Sequence, residues 1–301
     1  MKIQYGKVLI VGANGMLGTT LQNIADTSNC LLLDKESDTS NIKYCDIRDM
    51  QLTSQIVNAY APDIIINLAA LVDLEYCETN KDDCYITNTI GAVHLFNLAK
   101  ERDIPYVFIS TAGIFGNKDA VYTELDTPDP LSSYGKSKYY VEQLLLRQQY
   151  EKYWIFRAGW MMGGGPMKDK KFVKKFISLA KQHNKLPVVD DKVGVPTYTK
   201  DFAASLIKHI NEGLPYGLYN MVCQGDASRY DVAVEICRYL GLNVEVTRVS
   251  SNFFNNEYFA PRPFSEKLVN YKLNLLGKNY MRDWKVCLHE YLDEYLDEYF
   301  G

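Results

Sequence analysis

A short apolar run, Val8–Val11, breaks into three glycines set three apart, Gly12, Gly15 and Gly18, and a helical pattern starts at once near Met16. This turn restricts the chain more than any other feature. Glycine tolerates backbone angles that side chains penalise. It also lets a phosphate approach the N–H groups at a helix start, and lets the helix lie close to the strand. Strand, glycine turn and helix in this order predict a dinucleotide-binding unit. The pyrophosphate would rest on the backbone of Gly12, Asn14, Gly15, Met16, Leu17 and Gly18. A glycine-rich strand–helix turn without a ligand is the competing reading.

The same alternation runs through the first half. Cys30–Leu33, Asp63–Leu68, Pro105–Ile109 and Tyr153–Phe156 are short apolar runs without polar alternation. Between them lie helical patterns over Leu52–Tyr60, Asp83–Arg102 and Tyr134–Tyr150. Strands of this kind are buried on both faces, so the pattern predicts an α/β fold with a doubly wound parallel sheet of the Rossmann type.

The second half is less regular. Gly163-Gly164-Gly165-Pro166 is a strong breaker, followed by a lysine-rich helix over Lys168–His183 and strand and loop over Val188–Val195. Helices over Thr199–Glu212 and Tyr230–Leu240 flank a strand at Gly217–Val222. In the tail, His289–Phe300, Tyr291, Tyr295 and Tyr299 recur with Leu292, Leu296 and Phe300 at period four, which predicts a terminal helix packed on the body. Residues 1–157 form the expected dinucleotide-binding domain, with segments near 190–222 returning to it. Residues 158–189 and 223–301 form a smaller substrate-binding domain.

Composition removes several function classes. Lys+Arg is 33 against 37 Asp+Glu, a net charge of −4, without the basic excess of a nucleic-acid binder. The seven cysteines are odd in number and form no C-x-x-C pair, which fits reduced thiols in the cytoplasm. The four histidines are scattered, so no metal is expected. No apolar run reaches the roughly 20 residues that span a membrane, and the N-terminus carries no cleavable signal pattern.

Asp34 closes the second apolar run, where a carboxylate can accept the adenosine ribose hydroxyls and repel a 2′-phosphate; Lys35 beside it softens that repulsion. NAD(H) is therefore favoured over NADP(H). Asp46 and Ile47 are expected to cradle the adenine, against the alternative of a solvated loop. Leu68, Ala69 and Ala70, small or apolar after the third run, fit a close nicotinamide or ribose, and equally fit helix packing. Tyr134 and Lys138 stand one helical turn apart. A phenol has an ordinary pKa of about 10, and a neighbouring ammonium favours its phenolate. With 23 tyrosines such spacings arise by chance. What strengthens this one is Ser110-Thr111 ending the fourth run, because ligands of such sheets bind at the carboxyl ends of strands. A helix cap is the alternative use of these hydroxyls.

Gly12, Gly15 and Gly18, Asn67–Ala70, Ser110-Thr111, Tyr134 and Lys138 together resemble the extended short-chain dehydrogenase/reductase superfamily. Arg157-Ala158-Gly159-Trp160, Val195-Pro196-Thr197-Tyr198 and Arg262–Leu268 resemble the dTDP-4-dehydrorhamnose reductase family over the whole chain. That resemblance implies NAD(P)H-dependent reduction of the C4 ketone of a nucleotide-linked 4-keto-6-deoxysugar. It implies Tyr134 as proton donor, Lys138 as its partner and ribose ligand, and Thr111 polarising the ketone. It also implies Trp160 lining the sugar pocket and Arg262 near the nucleotide phosphates. Where the family has Asp-Tyr after the threonine, this chain has Ala112-Gly113. The expectation is a pocket wall without those acidic and aromatic side chains, with more space or a different sugar, and no 4,6-dehydratase acid pair. Lys171, in the cluster Lys168, Lys170, Lys171, Lys174 and Lys175, is a candidate for the substrate diphosphate, with a solvated basic face as the alternative. A nucleotide-sugar 4-epimerase and a non-catalytic dinucleotide-binding regulatory subunit are the other functions considered. The resemblance further implies a homodimer through the helices over Tyr134–Tyr150 and Asp83–Arg102.

Overall fold

A computed structural model describes residues 1–36 and 41–300. Its centre is a seven-stranded sheet built from β1 (Val8–Val11), β2 (Cys30–Asp34), β3 (Ile42–Tyr44), β4 (Ile64–Asn67), β5 (Tyr106–Thr111), β6 (Tyr153–Ala158) and β7 (Gly217–Asn220). The spatial order is β7-β6-β5-β4-β1-β2-β3, and every neighbouring pair is parallel. The order reverses between β1 and β4, which opens a crevice at their carboxyl ends.

Burial on both faces explains the unalternating strands. Val8 and Ile10 of β1 point into one core with Leu17, Leu21, Phe202 and Leu206, from the helices Met16–Ile24 and Thr199–Asn211. Leu9 and Val11 point into a second core with Ile56, Phe96 and Leu145, from the helices Met50–Tyr60, Ala92–Glu101 and Ser133–Leu146. Thr20 and Thr199 tie the first two helices together through their hydroxyls at 2.8 Å.

Smaller sheets lie beyond the carboxyl ends. Ala227–Ser228, Val193–Gly194, Ser265–Leu268 and Val121–Tyr122 form a four-stranded sheet in that order. Trp160–Met162 pairs with Pro196–Tyr198, and Lys185–Val189 with Glu245–Val249.

Three expected helices divide. The pattern over Asp83–Arg102 is an α-turn at Lys81–Tyr85, a π-helical turn at Ile86–Gly91 and an α-helix from Ala92. Gly91, at the end of the π-turn, packs closely on Ile47, where a Cβ would lie 2.9 Å from Cγ1. The lysine-rich segment is two helices, Gly165–Lys168 and Phe172–Ala180, broken where the buried Asp169 carboxylate accepts from Lys171 N at 2.8 Å. The tail starts earlier and splits into Trp284–Glu294 and Leu296–Phe300. Of the residues in the period-four pattern, Tyr291, Leu292 and Tyr299 are buried, with the two phenols bonded at 2.8 Å, whereas Leu296 and Phe300 are exposed. The seven cysteines are unbridged, and six are buried. Among the described residues no helix is long and apolar enough to cross a membrane.

Gly12 has φ +84°, and a Cβ on it would lie 2.5 Å from Ala69 N and 2.7 Å from Leu68 C. Gly241 has φ +64° with open space around it. Urea unfolding should therefore show Gly241→Ala losing about 1 kcal/mol, from backbone strain alone. Gly12→Ala should lose about 3 kcal/mol, because backbone must also move.

Candidate active site

The glycine turn meets the start of the loop after β4, with Leu68 N donating to Val11 O at 2.8 Å. Gly18 is pressed against Gly12 and Ala13, whose carbonyl oxygens would lie 2.5 Å from an added Cβ. Gly15 differs: its Cβ would meet only Gly12 O, at 3.4 Å, so no protein neighbour demands glycine there. No side chain caps the helix that follows. Bare backbone, an uncapped helix start and open space at Gly15 fit a pyrophosphate. Leu17 is buried in the core and offers only backbone, while Met16 lies against the turn at Gly164.

Asp34 has a second task that the sequence did not reveal. Its carboxylate accepts from Asn14 N at 2.9 Å and Glu36 N at 3.0 Å, and so shapes the glycine turn. An ionised carboxylate has about four acceptor sites, so two remain for ribose hydroxyls. Asn14 also receives Lys168 Nζ at 2.5 Å. Lys35 is exposed beside Asp34. The expected adenine cradle is changed. Asp46 is engaged by Arg48, whose Nε lies 2.9 Å away and which also binds Asp83. Ile47 is 3% exposed and packs under Gly91, so it is core rather than an open apolar face. Leu68, Ala69 and Ala70 are half-buried along the crevice, with Asn67 Oδ1 accepting from Ala69 N at 3.0 Å.

Tyr134 and Thr111 are brought together by glycine. A Cβ on Gly135 would lie 2.4 Å from Gly113 O, so the start of the Ser133–Leu146 helix sits directly on the turn after β5. Ser132 caps that helix through Gly135 N at 3.0 Å, and Glu78 accepts from Ser133 N at 2.5 Å. Thr111 Oγ1 accepts from Gly113 N at 3.0 Å, which leaves its hydrogen to donate elsewhere. Burial pushes the half-buried Tyr134 phenol well above its usual range, with the Thr111 hydroxyl pulling the other way. Ser110, on the same strand end, has a buried hydroxyl without a partner. Such an orphan, beside the crevice, fits a bound cofactor.

Lys138 is 3% exposed, its ammonium 4.0 Å from the centre of the Phe108 ring. Burial lowers its pKa to about 7, while Glu142 and Cys84 act to raise it. Glu142 is itself buried and gripped by Arg157 at 3.0 and 2.7 Å. Asn88, fully buried in the π-turn, accepts from Leu71 N at 2.7 Å and donates to Ser137 Oγ at 3.1 Å, so it holds the loop after β4 against the helix of Tyr134 and Lys138. Glu78, Asn88, Glu142 and Arg229 match no spacing rule, and only the fold shows what they do.

On the substrate side, Trp160 Nε1 donates to Glu266 Oε2 at 2.6 Å, and Arg229 stacks on the indole at 3.8 Å. Among the described residues Arg229 makes no ion pair; burial lowers its pKa to about 10 against the pull of Glu266. Arg262, expected near the phosphates, instead pairs with Glu75 at 2.8 Å and donates to Ala260 O. Lys171 reaches Val72 O at 3.3 Å, on the loop beyond β4. Ala112 is buried, and a carboxylate from another strand lies close to this turn: Glu266 Oε1 would lie 3.5 Å from a Cβ on Gly113. Among the described residues one group could hold a metal, Asp201, Cys223 and Cys287, and there Asp201 is already paired with Arg282.

The folded state holds Lys138 with a depressed pKa, so between about 7 and the ordinary 10.5 the unfolded chain binds more protons. Stability from this group therefore rises with pH across that window. Lys138→Met should stabilise the cofactor-free protein at pH 6.5, and the gain should shrink as pH approaches 10. Denaturant unfolding at a series of pH values checks this.

The RmlD substrate binding domain model matches residues 6–297. The spore coat polysaccharide biosynthesis protein SpsK of Bacillus subtilis is 33% identical over 287 residues, 95% of this chain and 96% of that protein. Among solved structures, a dTDP-4-dehydrorhamnose reductase of Clostridium acetobutylicum is 35% identical with a TM-score of 0.83, covering 98% of this chain and 99% of that one. The enzyme of the same name from Bacillus anthracis, in complex with NADP, is 30% identical with a TM-score of 0.83, covering 96% and 99%. With its parallel sheet, glycine turn and Thr-Tyr-Lys constellation, the chain belongs to the RmlD substrate-binding-domain family of the extended short-chain dehydrogenase/reductase superfamily.

Proposed function

We propose that this chain is an NAD(P)H-dependent reductase of the C4 ketone of a nucleotide-linked 4-keto-6-deoxysugar, as in dTDP-4-dehydrorhamnose reductase. The observation that carries the reading is the contact of Gly135 with Gly113 O, which sets the Tyr134 phenol beside the Thr111 hydroxyl at the carboxyl end of β5. A bound nicotinamide supplies the hydride. The residues that would hold it are the backbone at Gly12–Gly18, Asp34, the Leu68–Ala70 loop, Ser110 and Lys138. Thr111 donates its hydrogen to the carbonyl oxygen and polarises it. Tyr134 then gives its phenolic proton to that oxygen as it gains charge. Lys138, as an ammonium one turn away, stabilises the phenolate left behind. Positioning and general acid catalysis are the two contributions asked of the protein.

Arg229 is the best-supported ligand of the substrate diphosphate. Among the described residues it makes no ion pair, and its guanidinium lies 3.8 Å from the centre of the Trp160 ring, beside the sugar side of the site. Arg262 is less available, since Glu75 holds it. Residues 158–189 and 223–301 would close over the nucleotide sugar, and the cytoplasm is the compartment that seven unbridged cysteines suit. A homodimer is supported by Ile86, Ile90, Tyr140 and Leu144, all at least 39% exposed on the π-turn and the helix of Tyr134.

Steady-state assays with dTDP-4-dehydrorhamnose should show net oxidation of NADH or NADPH. Tyr134→Phe should lower kcat about 10²- to 10⁴-fold without weakening cofactor binding. Turnover of sugar without net cofactor oxidation would indicate an epimerase instead. Arg229→Ala should raise KM for the nucleotide sugar about tenfold or more and leave KM for the cofactor unchanged. Light scattering during size-exclusion chromatography should give twice the monomer mass; a monomer at high concentration would end the dimer reading.

A further inference from the structure

Glu266 lies on the strand Ser265–Leu268, paired in parallel with Gly194. Gly194 has no room for a side chain, since its Cβ would lie 2.5 Å from Trp160 Cε2. The indole is thus wedged in place, with Arg229 over its ring and its N–H directed at Glu266 Oε2, 2.6 Å away. This fixes the carboxylate and leaves Oε1 without a hydrogen-bond partner among the described residues. The position of Oε1 is informative. One point, the vacant Cβ position of Gly113, lies 3.5 Å from Glu266 Oε1 and 3.4 Å from Thr111 Oγ1. Both oxygens therefore border one small volume, next to the hydroxyl that would face the ketone.

A carboxylate oxygen only accepts hydrogen bonds, so it needs a donor from the ligand. Leaving it unmatched in a closed site is costly, and an N–H or O–H there is strongly favoured. Burial pushes this carboxyl upward, while the Trp160 N–H and the cations of Arg229, Arg262 and Lys192 act to keep it ionised. In a 4-keto-6-deoxysugar the carbons flanking the ketone are C3 and C5. C5 carries the methyl group and the ring oxygen, so the hydroxyl donor beside the ketone is at C3.

We propose that Glu266 is a specificity-determining residue: its Oε1 accepts a hydrogen bond from the C3 hydroxyl, and the site thereby selects sugars that carry a hydroxyl there over 3-deoxy sugars. This inference rests on the nucleotide-sugar reading above. A purely structural role, holding Trp160, is the alternative that the test must separate.

Calorimetric titration of the full-length protein uses three probes: dTDP-rhamnose, a dTDP-3,6-dideoxyhexose and dTDP alone. Wild type should bind the rhamnose compound about 10- to 100-fold tighter than the 3-deoxy compound. Glu266→Leu should abolish that preference and leave dTDP affinity unchanged. Glu266→Gln, whose amide oxygen can still accept from Trp160, should fall between the two. Equal weakening of both sugars in Glu266→Leu would show that the residue only supports Trp160, and would overturn the proposal. So would the absence of any wild-type preference. The comparison needs no turnover, so a wild-type protein that discriminates but does not oxidise NAD(P)H would sink the reductase reading and leave this one standing.

Discussion

The site depends on one close approach, the seating of Gly135 on the carbonyl oxygen of Gly113. A strand end and a helix start are both geometrically defined objects, and a contact that excludes even a methyl group fixes one against the other. Thr111 belongs to the strand and Tyr134 to the helix, so their separation is inherited from backbone packing rather than from flexible side chains. Ser132 and Glu78 satisfy the helix start without using the phenol. Asn88 then ties the loop after β4 to the same helix, so three carboxyl-end segments of the sheet share one frame of reference.

Below this frame lies a charged column that an apolar core would not ordinarily admit. Lys138 is buried over the Phe108 ring, and Glu142 and Arg157 form a bidentate pair one further turn along. Burying charges is expensive unless they are paired and bonded. The pair is bonded, whereas Lys138 has only the more distant pull of Glu142 and Cys84 against its desolvation. Stability is thus given up at the position where the proposed chemistry needs a tunable cation, a common association between perturbed ionisation and function.

Much of this was legible in the sequence. The glycine turn, the unalternating strands and the Thr111, Tyr134 and Lys138 set are local patterns whose period or spacing follows from backbone geometry. The parallel sheet agrees with the strand pattern, and the relatives agree with the family the chain resembles. What escaped was of another kind. The π-turn at Ile86–Gly91 ends on a glycine fitted closely over Ile47, a contact between segments distant in sequence. Asp46 and Arg262 were read as ligand groups because their types and places suited it; each also has a protein partner that no spacing announces. Glu266 shows the reverse case. Its carboxylate reaches the turn at Gly113 from a strand far along the chain, and only the folded sheet brings it there.

Lys168 donates to Asn14 Oδ1, and so joins the triple-glycine region of the second half to the dinucleotide turn of the first. Asn14 in turn donates its own N–H to Asp34. A ligand on the glycine turn would lie one residue away from this link to the Gly165–Lys168 helix. Any coupling carried by it would be reciprocal, with the same free energy in both directions. A nucleotide sugar that draws the second half inward would tighten the grip on the cofactor, and an occupied cofactor site would preset the sugar side. Such coupling would run equally in both directions and would favour neither ligand as the first to bind; the link is one residue, Asn14, whose side chain meets Lys168 and whose backbone meets Asp34.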